Sequence, residues 1–143
     1  MVLSIQCLFL FAKISYFLEV KSAKNGLPNS IWETYSAFSN GYGGVIILGI
    51  IENKDETWST SGLDADSCQK LIKQFWNDIN NRQKVSINLL RDDVEVYKKE
   101  DDQIIVIHVP MARREEKTVY INNNLFHGTY RRNHDGDYHC TRL

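Results

Sequence analysis

The 143-residue chain lacks most of the features that assign a sequence quickly to a specialised class. Its 17 Lys and Arg stand against 18 Asp and Glu, a net charge of −1. No global basic field therefore advertises nucleic acid, and any such footprint has to be a local patch. The three cysteines, Cys7, Cys68 and Cys140, are far apart and odd in number. That argues against a disulfide framework and fits a reducing, cytoplasmic setting. Prolines number two, and there is no repeat, low-complexity tract or interior linker. Neither a membrane span nor a secretory signal is expected. Val2–Leu18 is apolar, but no positive residue precedes it, Lys13 interrupts it and no small-x-small cleavage site follows. It is also a poor length for a membrane span.

What is present is the composition of an ordinary globular protein, 43% hydrophobic and 24% charged, in a chain long enough for one core. We expect a single domain over residues 1–143, with residues 1–15 an N-terminal extension that is either native structure or an altered start. Tyr16–Lys21 reads as a short strand. Ser30 and Glu33 fit a capping box at the start of a helix that carries Ile31, Tyr35 and Phe38 on one face and ends near Asn40 and Gly41. Val45–Ile51 is a continuous aliphatic run, as expected of a strand covered on both sides. Glu52–Gly62 reads as a loop or a small hairpin. A second helix, capped by Asp64 or Asp66, spaces Cys68, Leu71, Ile72, Phe75, Trp76 and Ile79 on one face. Val85–Leu90, a hairpin of Val94–Lys99 with Ile104–Val109, Thr118–Ile121 and Gly128–Arg132 supply further strands. Two main helices and six or seven strands give an α/β (α+β) fold, a sandwich built on a mixed sheet.

The segment SAFSNGYGGVIILGI, Ser36–Ile50, sets Gly41, Gly43 and Gly44 between a helix and a strand. A phosphate-binding loop needs the reverse order, strand then glycines then helix, and a following lysine. The dinucleotide fingerprint fails likewise, because these glycines open no helix. They read as the joint between a helix end and a buried strand, with backbone amides on a nucleic-acid phosphate as the rival use.

With those elements placed, LEVKSAKNGLPNSIWETYSAFSNGYGGVIILGIIE resembles the Schlafen/AlbA_2-type DNA-binding domain. The family carries an E-[FV]-K strand, a helix ending S-A-F-[AS]-N, then x-x-G-G and an aliphatic strand ending L-G-[VI]. The C-terminal GTYRRNHDGDYHCTR is similar to its closing segment, in which a G-x-Y-x-R strand precedes a G-D-Y turn. The resemblance covers roughly residues 16–142. It implies an α/β domain of bacterial transcriptional regulators, usually followed by a further C-terminal part that is absent from this chain. Some eukaryotic relatives cleave RNA with three carboxylates that hold metal. Here Glu19 matches the second of these and Glu52 the third, but the first falls on Ile14. Divalent metal needs such oxygen ligands beside the scissile phosphate, so a Mg²⁺-dependent nuclease on Glu19 and Glu52 stands as the alternative. The plainer reading makes Glu19 a charge partner of Lys21 or Arg131.

The remaining candidates are basic. Lys21, Lys24, Arg131 and Arg132 are the first choices for phosphate contact, with Arg113 and Arg114 behind them and Lys117 nearby. Tyr130 and Tyr42 are available to stack on bases. The rival reading is a set of solvated strand-edge charges. His134, Asp135, Asp137, His139 and Cys140 crowd together, but their spacing is looser than any strong zinc pattern, and Asp135-Gly136 reads better as a turn. The expectation is a non-catalytic, regulatory domain without cofactor or metal. It binds DNA, with RNA as the second choice, and forms a homodimer because short sheet edges invite self-association. A protein-interaction module is the third reading.

Overall fold

The computed structural model describes residues 17–133 and 136–140. The N-terminal extension, His134, Asp135 and the last three residues lie outside the described residues, and so does the question of what residues 1–15 form. Eight short strands and two helices follow in the order β1 (Leu18–Lys21), α1 (Ser30–Asn40), β2 (Gly44–Leu48), β3 (Ile50–Glu52), β4 (Trp58–Thr60), α2 (Ala65–Ile79), β5 (Val94–Lys99), β6 (Asp102–Val109), β7 (Tyr130–Asn133) and β8 (Gly136–His139). The main sheet has four strands in the order β1-β2-β6-β5. It is mixed: β1 runs parallel to β2, while β6 is antiparallel to both β2 and β5. Hairpins β3–β4 and β7–β8 form two smaller sheets.

Side-chain alternation decides which face each residue serves. Ile46, Leu48, Ile105, Ile107 and Val109 share one buried cluster with Ile31, Tyr35 and Phe38 of α1 and Cys68, Leu71, Phe75 and Ile79 of α2. Leu18, Ile47, Ile50, Ile104 and Val106 form a second cluster on the other face, against which Trp58 of the β3–β4 hairpin packs. Both helices thus cover one face and the small hairpin the other, which explains why β2 is aliphatic throughout. Full burial of each such side chain stabilises the fold by about 1.5–3 kcal/mol. Tyr35 keeps its hydroxyl satisfied inside the core, donating to Ile87 O at 2.8 Å and accepting from the Leu89 amide at 3.0 Å. Burial drives its pKa far above the usual tyrosine value.

The expected α/β architecture with two main helices and a mixed sheet is the one observed, but several local readings change. The capping box at Ser30 does not form. The Ile31 and Trp32 amides bond instead to the carbonyls of Pro28 and Asn29, so a turn feeds the helix and its first amides need no side-chain cap. Asp64, in contrast, caps α2 by accepting from the Ser67 amide at 2.7 Å. The aliphatic run breaks at Gly49, whose φ of +98° turns the chain out of the main sheet into β3. Val85–Leu90 forms no strand, only a single bridge from Val85 to Ile121. At the helix–strand joint the left-handed residue is Gly43 (φ +79°), not Gly41. A Cβ on Gly43 would lie 2.8 Å from Val109 O, and one on Gly44 would enter the Phe38 ring. These glycines serve close packing, as their order along the chain implies.

Candidate functional site

Strand β1 is a sheet edge, and its alternation sends Leu18 and Val20 to the second cluster and Glu19 and Lys21 to the face that carries α1. The polar side of α1 meets the β7–β8 hairpin, whose inward residues are Tyr130, Arg132, Asp137 and His139. Tyr130 pairs across the hairpin with His139, and Arg132 with Asp137. Arg132 lies at the centre. Its Nη1 is 2.9 Å from both Glu19 Oε2 and Asp137 Oδ1, its Nη2 donates to Leu18 O at 3.0 Å, and its guanidinium sits 5.1 Å from the Phe38 ring centroid. The side chain is only 4% exposed. Asp137 also accepts from the Thr34 hydroxyl at 2.6 Å, tying the hairpin to α1.

A second polar link lies beside the first. The Tyr130 hydroxyl is 3.0 Å from Glu33 Oε1 and 2.8 Å from His139 Nε2. A carboxylate only accepts, so the tyrosine's single proton goes to Glu33 and Nε2 of His139 carries the hydrogen directed at Tyr130. Burial, together with the Glu33 carboxylate, pushes Tyr130 up to about 12. Further along α1, Ser36 donates to Val119 O and accepts from the Tyr130 amide. Asn40 both accepts from the Val119 amide and donates to its carbonyl, each at 2.8 Å. Glu33, Thr34, Ser36 and Asn40 are thus all engaged with the segment from Val119 onward.

The basic candidates separate into groups. Lys21 is half-buried and its Nζ donates to Ser30 Oγ at 3.0 Å, at the N-terminal end of α1. Lys24 is exposed in the loop that follows. Beside them opens a cleft of ≈ 440 Å³ lined by Asn29, Ser30, Trp32, Glu33, Lys84, Ile121 and Asn122. Arg113 and Arg114 lie by the opposite end of α1, where the Ala112 amide bonds to Ser39 O. An 11-residue helix separates the two groups by about 16 Å. Arg113 is held by Glu115 and Glu116, and the Glu116 carboxyl is kept below its usual range chiefly by that guanidinium. Arg132 faces inward, so it offers no surface charge, whereas Arg131 alternates outward and is exposed.

Of the carboxylates, Glu19 is the partner of Arg132 rather than of Lys21 or Arg131. Glu52 is exposed on β3, beyond the Gly49 turn, and no bond joins it to Glu19. No group of three or more His, Cys, Asp or Glu among the described residues is placed to hold a metal ion. The suggested cluster near the C-terminus includes His134 and Asp135, which lie outside the described residues; Asp137 and His139 are in the two networks above. Tyr130 is buried, so it presents no stacking face, while Tyr42 is 80% exposed. Tyr138, which sequence reasoning passed over, is 54% exposed opposite Arg131. The alternation of inward Tyr130 and Arg132 with outward Arg131 was a readable signal for it, once β8 is paired with β7.

No helix among the described residues is long and apolar enough to cross a membrane. Among the curated proteins compared, none matches this chain. Similar solved structures include the solution structure of the N-terminal domain of a protein from Nitrosomonas europaea described as related to the ATP-dependent DNA helicase RecG. It aligns over 97% of this chain and 94% of its own, with a TM-score of 0.66 and 24% identity. The DIP2311 protein from Corynebacterium diphtheriae aligns over 87% of this chain and 22% of its own, with a TM-score of 0.51 and 16% identity. At these identities the likeness is one of fold. The family model described as Schlafen, AlbA_2 matches residues 15–141, taking in β1, the glycine joint and the β7–β8 hairpin alike, and the chain belongs to that family.

Proposed function

We propose that this domain binds nucleic acid, with DNA as its principal ligand, and does so without cleaving it, in the service of transcription regulation. The observation that carries the reading is the Glu19–Arg132–Asp137 triad. It occupies the one carboxylate on β1 that a metal-dependent nuclease would need, and its single positive charge offsets one of the two negative charges between β1 and the hairpin. Among the described residues Lys24 and Arg131 are exposed and have no carboxylate partner, and the Lys21 ammonium is bound only to a serine hydroxyl. The family, and the helicase-related name of the Nitrosomonas domain, fit a nucleic-acid role.

Titration of labelled duplex DNA, single-stranded DNA and RNA across a salt series tests this. Three phosphate contacts would give log K against log salt a slope of about −2.7 on duplex DNA. Lys24→Ala and Arg131→Ala should each reduce that slope by about 1 and weaken binding alike for all sequences. Arg114→Ala, at the far end of α1, should change it least. Affinity that does not fall with salt overturns the proposal. Mg²⁺-dependent cleavage abolished by Glu19→Ala would replace it with the nuclease reading on Glu19 and Glu52.

A further inference from the structure

We propose that the outer face of the β7–β8 hairpin is a stacking site for an unpaired base, with Tyr138 as the platform and Arg131 as the phosphate clamp. This names single-stranded nucleic acid as a ligand class, and it rests on the nucleic-acid reading above. The hairpin is two-sided by strand alternation. Of its inner residues, Tyr130, Arg132 and Asp137 are engaged with α1 and β1, and His139 is held against Tyr130. Its outer residues, Arg131 and Tyr138, are directly opposite each other across the two strands. Residues so paired have Cβ atoms about 4.5–5.5 Å apart, close enough for both to touch one nucleotide.

The orientation of Tyr138 is the second observation. A Cβ built on Gly136 would lie 3.0 Å from Cε2 and Oη of Tyr138 and 3.1 Å from Cζ. The ring is therefore laid along the strand over a residue with no side chain, one face against Gly136 and more than half of the residue open to solvent. An aromatic ring held flat over the strand presents its π face to a base at little further ordering cost. The Arg131 side chain makes no ion pair or hydrogen bond among the described residues, so its guanidinium is available to a backbone phosphate one strand away. Duplex DNA hides its base faces within the stack, so such a platform adds affinity only for unpaired bases.

The experiment compares wild type with Tyr138→Phe, Tyr138→Leu and Gly136→Ala by fluorescence anisotropy on labelled dT15, a 15-nucleotide uridine oligomer and a 15-base-pair duplex, at fixed salt. Tyr138→Leu should weaken binding to the single strands roughly 5- to 150-fold and duplex binding less than twofold, about what loss of one stacked base produces. Tyr138→Phe should stay within about twofold of wild type, since it keeps the ring. Gly136→Ala, which lifts the ring from its seat, should fall between them. Unchanged thermal midpoints would separate these effects from unfolding. A Tyr138 that merely covers Gly136 would alter stability and leave affinity untouched, and that result overturns the inference while leaving the salt-dependent reading intact. Equal losses on duplex and single strands overturn it too. Absence of binding to all three ligands overturns the nucleic-acid reading itself.

Discussion

Replacing Arg132 by methionine should be among the most damaging single changes available in the C-terminal third of the chain. Methionine retains much of the aliphatic stem against Phe38 but removes the charge that lies 2.9 Å from two carboxylates. Breaking a buried ion pair by deleting one partner costs about 3–5 kcal/mol, because the surviving charge stays desolvated. Glu19 and Asp137 retain 27% and 13% side-chain exposure, so water recovers part of their solvation and the low end applies, about 3 kcal/mol. Leu18 O also loses its donor. With a urea m-value of about 2 kcal/mol/M, the midpoint should fall by about 1.5 M at constant slope. In a thermal scan the same loss corresponds to about 6–12 °C. Tryptophan fluorescence reports the transition, since Trp32 lies in the core that the hairpin closes. The triple variant Glu19→Gln, Arg132→Met, Asp137→Asn should recover more than half of the loss, because no charge is then stranded. A fall of less than about 1 kcal/mol for Arg132→Met, or no recovery in the triple variant, would refute the triad as the lock between β1, α1 and the hairpin.

Alkaline unfolding should begin at a pH set by tyrosine. Tyr130 is raised to about 12 and Tyr35 is raised further by burial, against about 10 in the unfolded chain. The folded pKa values are the higher ones, so their stability contribution is whole below pH 10 and is lost as pH rises, by up to about 1.4 kcal/mol per pH unit per tyrosine. Tyr130→Phe should flatten that decline in pH-dependent denaturation, and an unchanged profile would contradict it. Gly43→Ala, which combines a φ of +79° with a Cβ 2.8 Å from Val109 O, should lower stability by about 2–4 kcal/mol by chemical denaturation. Asn40→Leu removes paired bonds to both polar atoms of Val119 and should destabilise by about 2–3 kcal/mol, whereas Asn40→Asp should lose mainly the donated bond.

Local pattern was enough to establish both main helices, the α/β class, the β5–β6 hairpin and the structural use of the glycines. The helices, the hairpin and the Asp64 cap depend on periodicity or capping within a dozen residues, whereas the place of Gly43 between helix and strand was readable but its close approach to Val109 was not. Pattern misled at Ser30 because the signature of a capping box is also satisfied when a preceding turn does the capping. The two side chains were then free for other partners, and Glu33 took Tyr130, 97 residues away. Charge alone could not separate Arg131 from Arg132. Adjacent residues of one strand look the same in the sequence, yet pleating sends one to solvent and the other to Glu19, 113 residues upstream. The same alternation exchanged Tyr130 for Tyr138 as the exposed aromatic. The sequence by itself thus determined what kind of domain this is and which residue types line its C-terminal hairpin. Only the tertiary structure decided which of them remain available, because a side chain's direction follows from strand pairing and its charge is spent or spared by contacts far away in the chain.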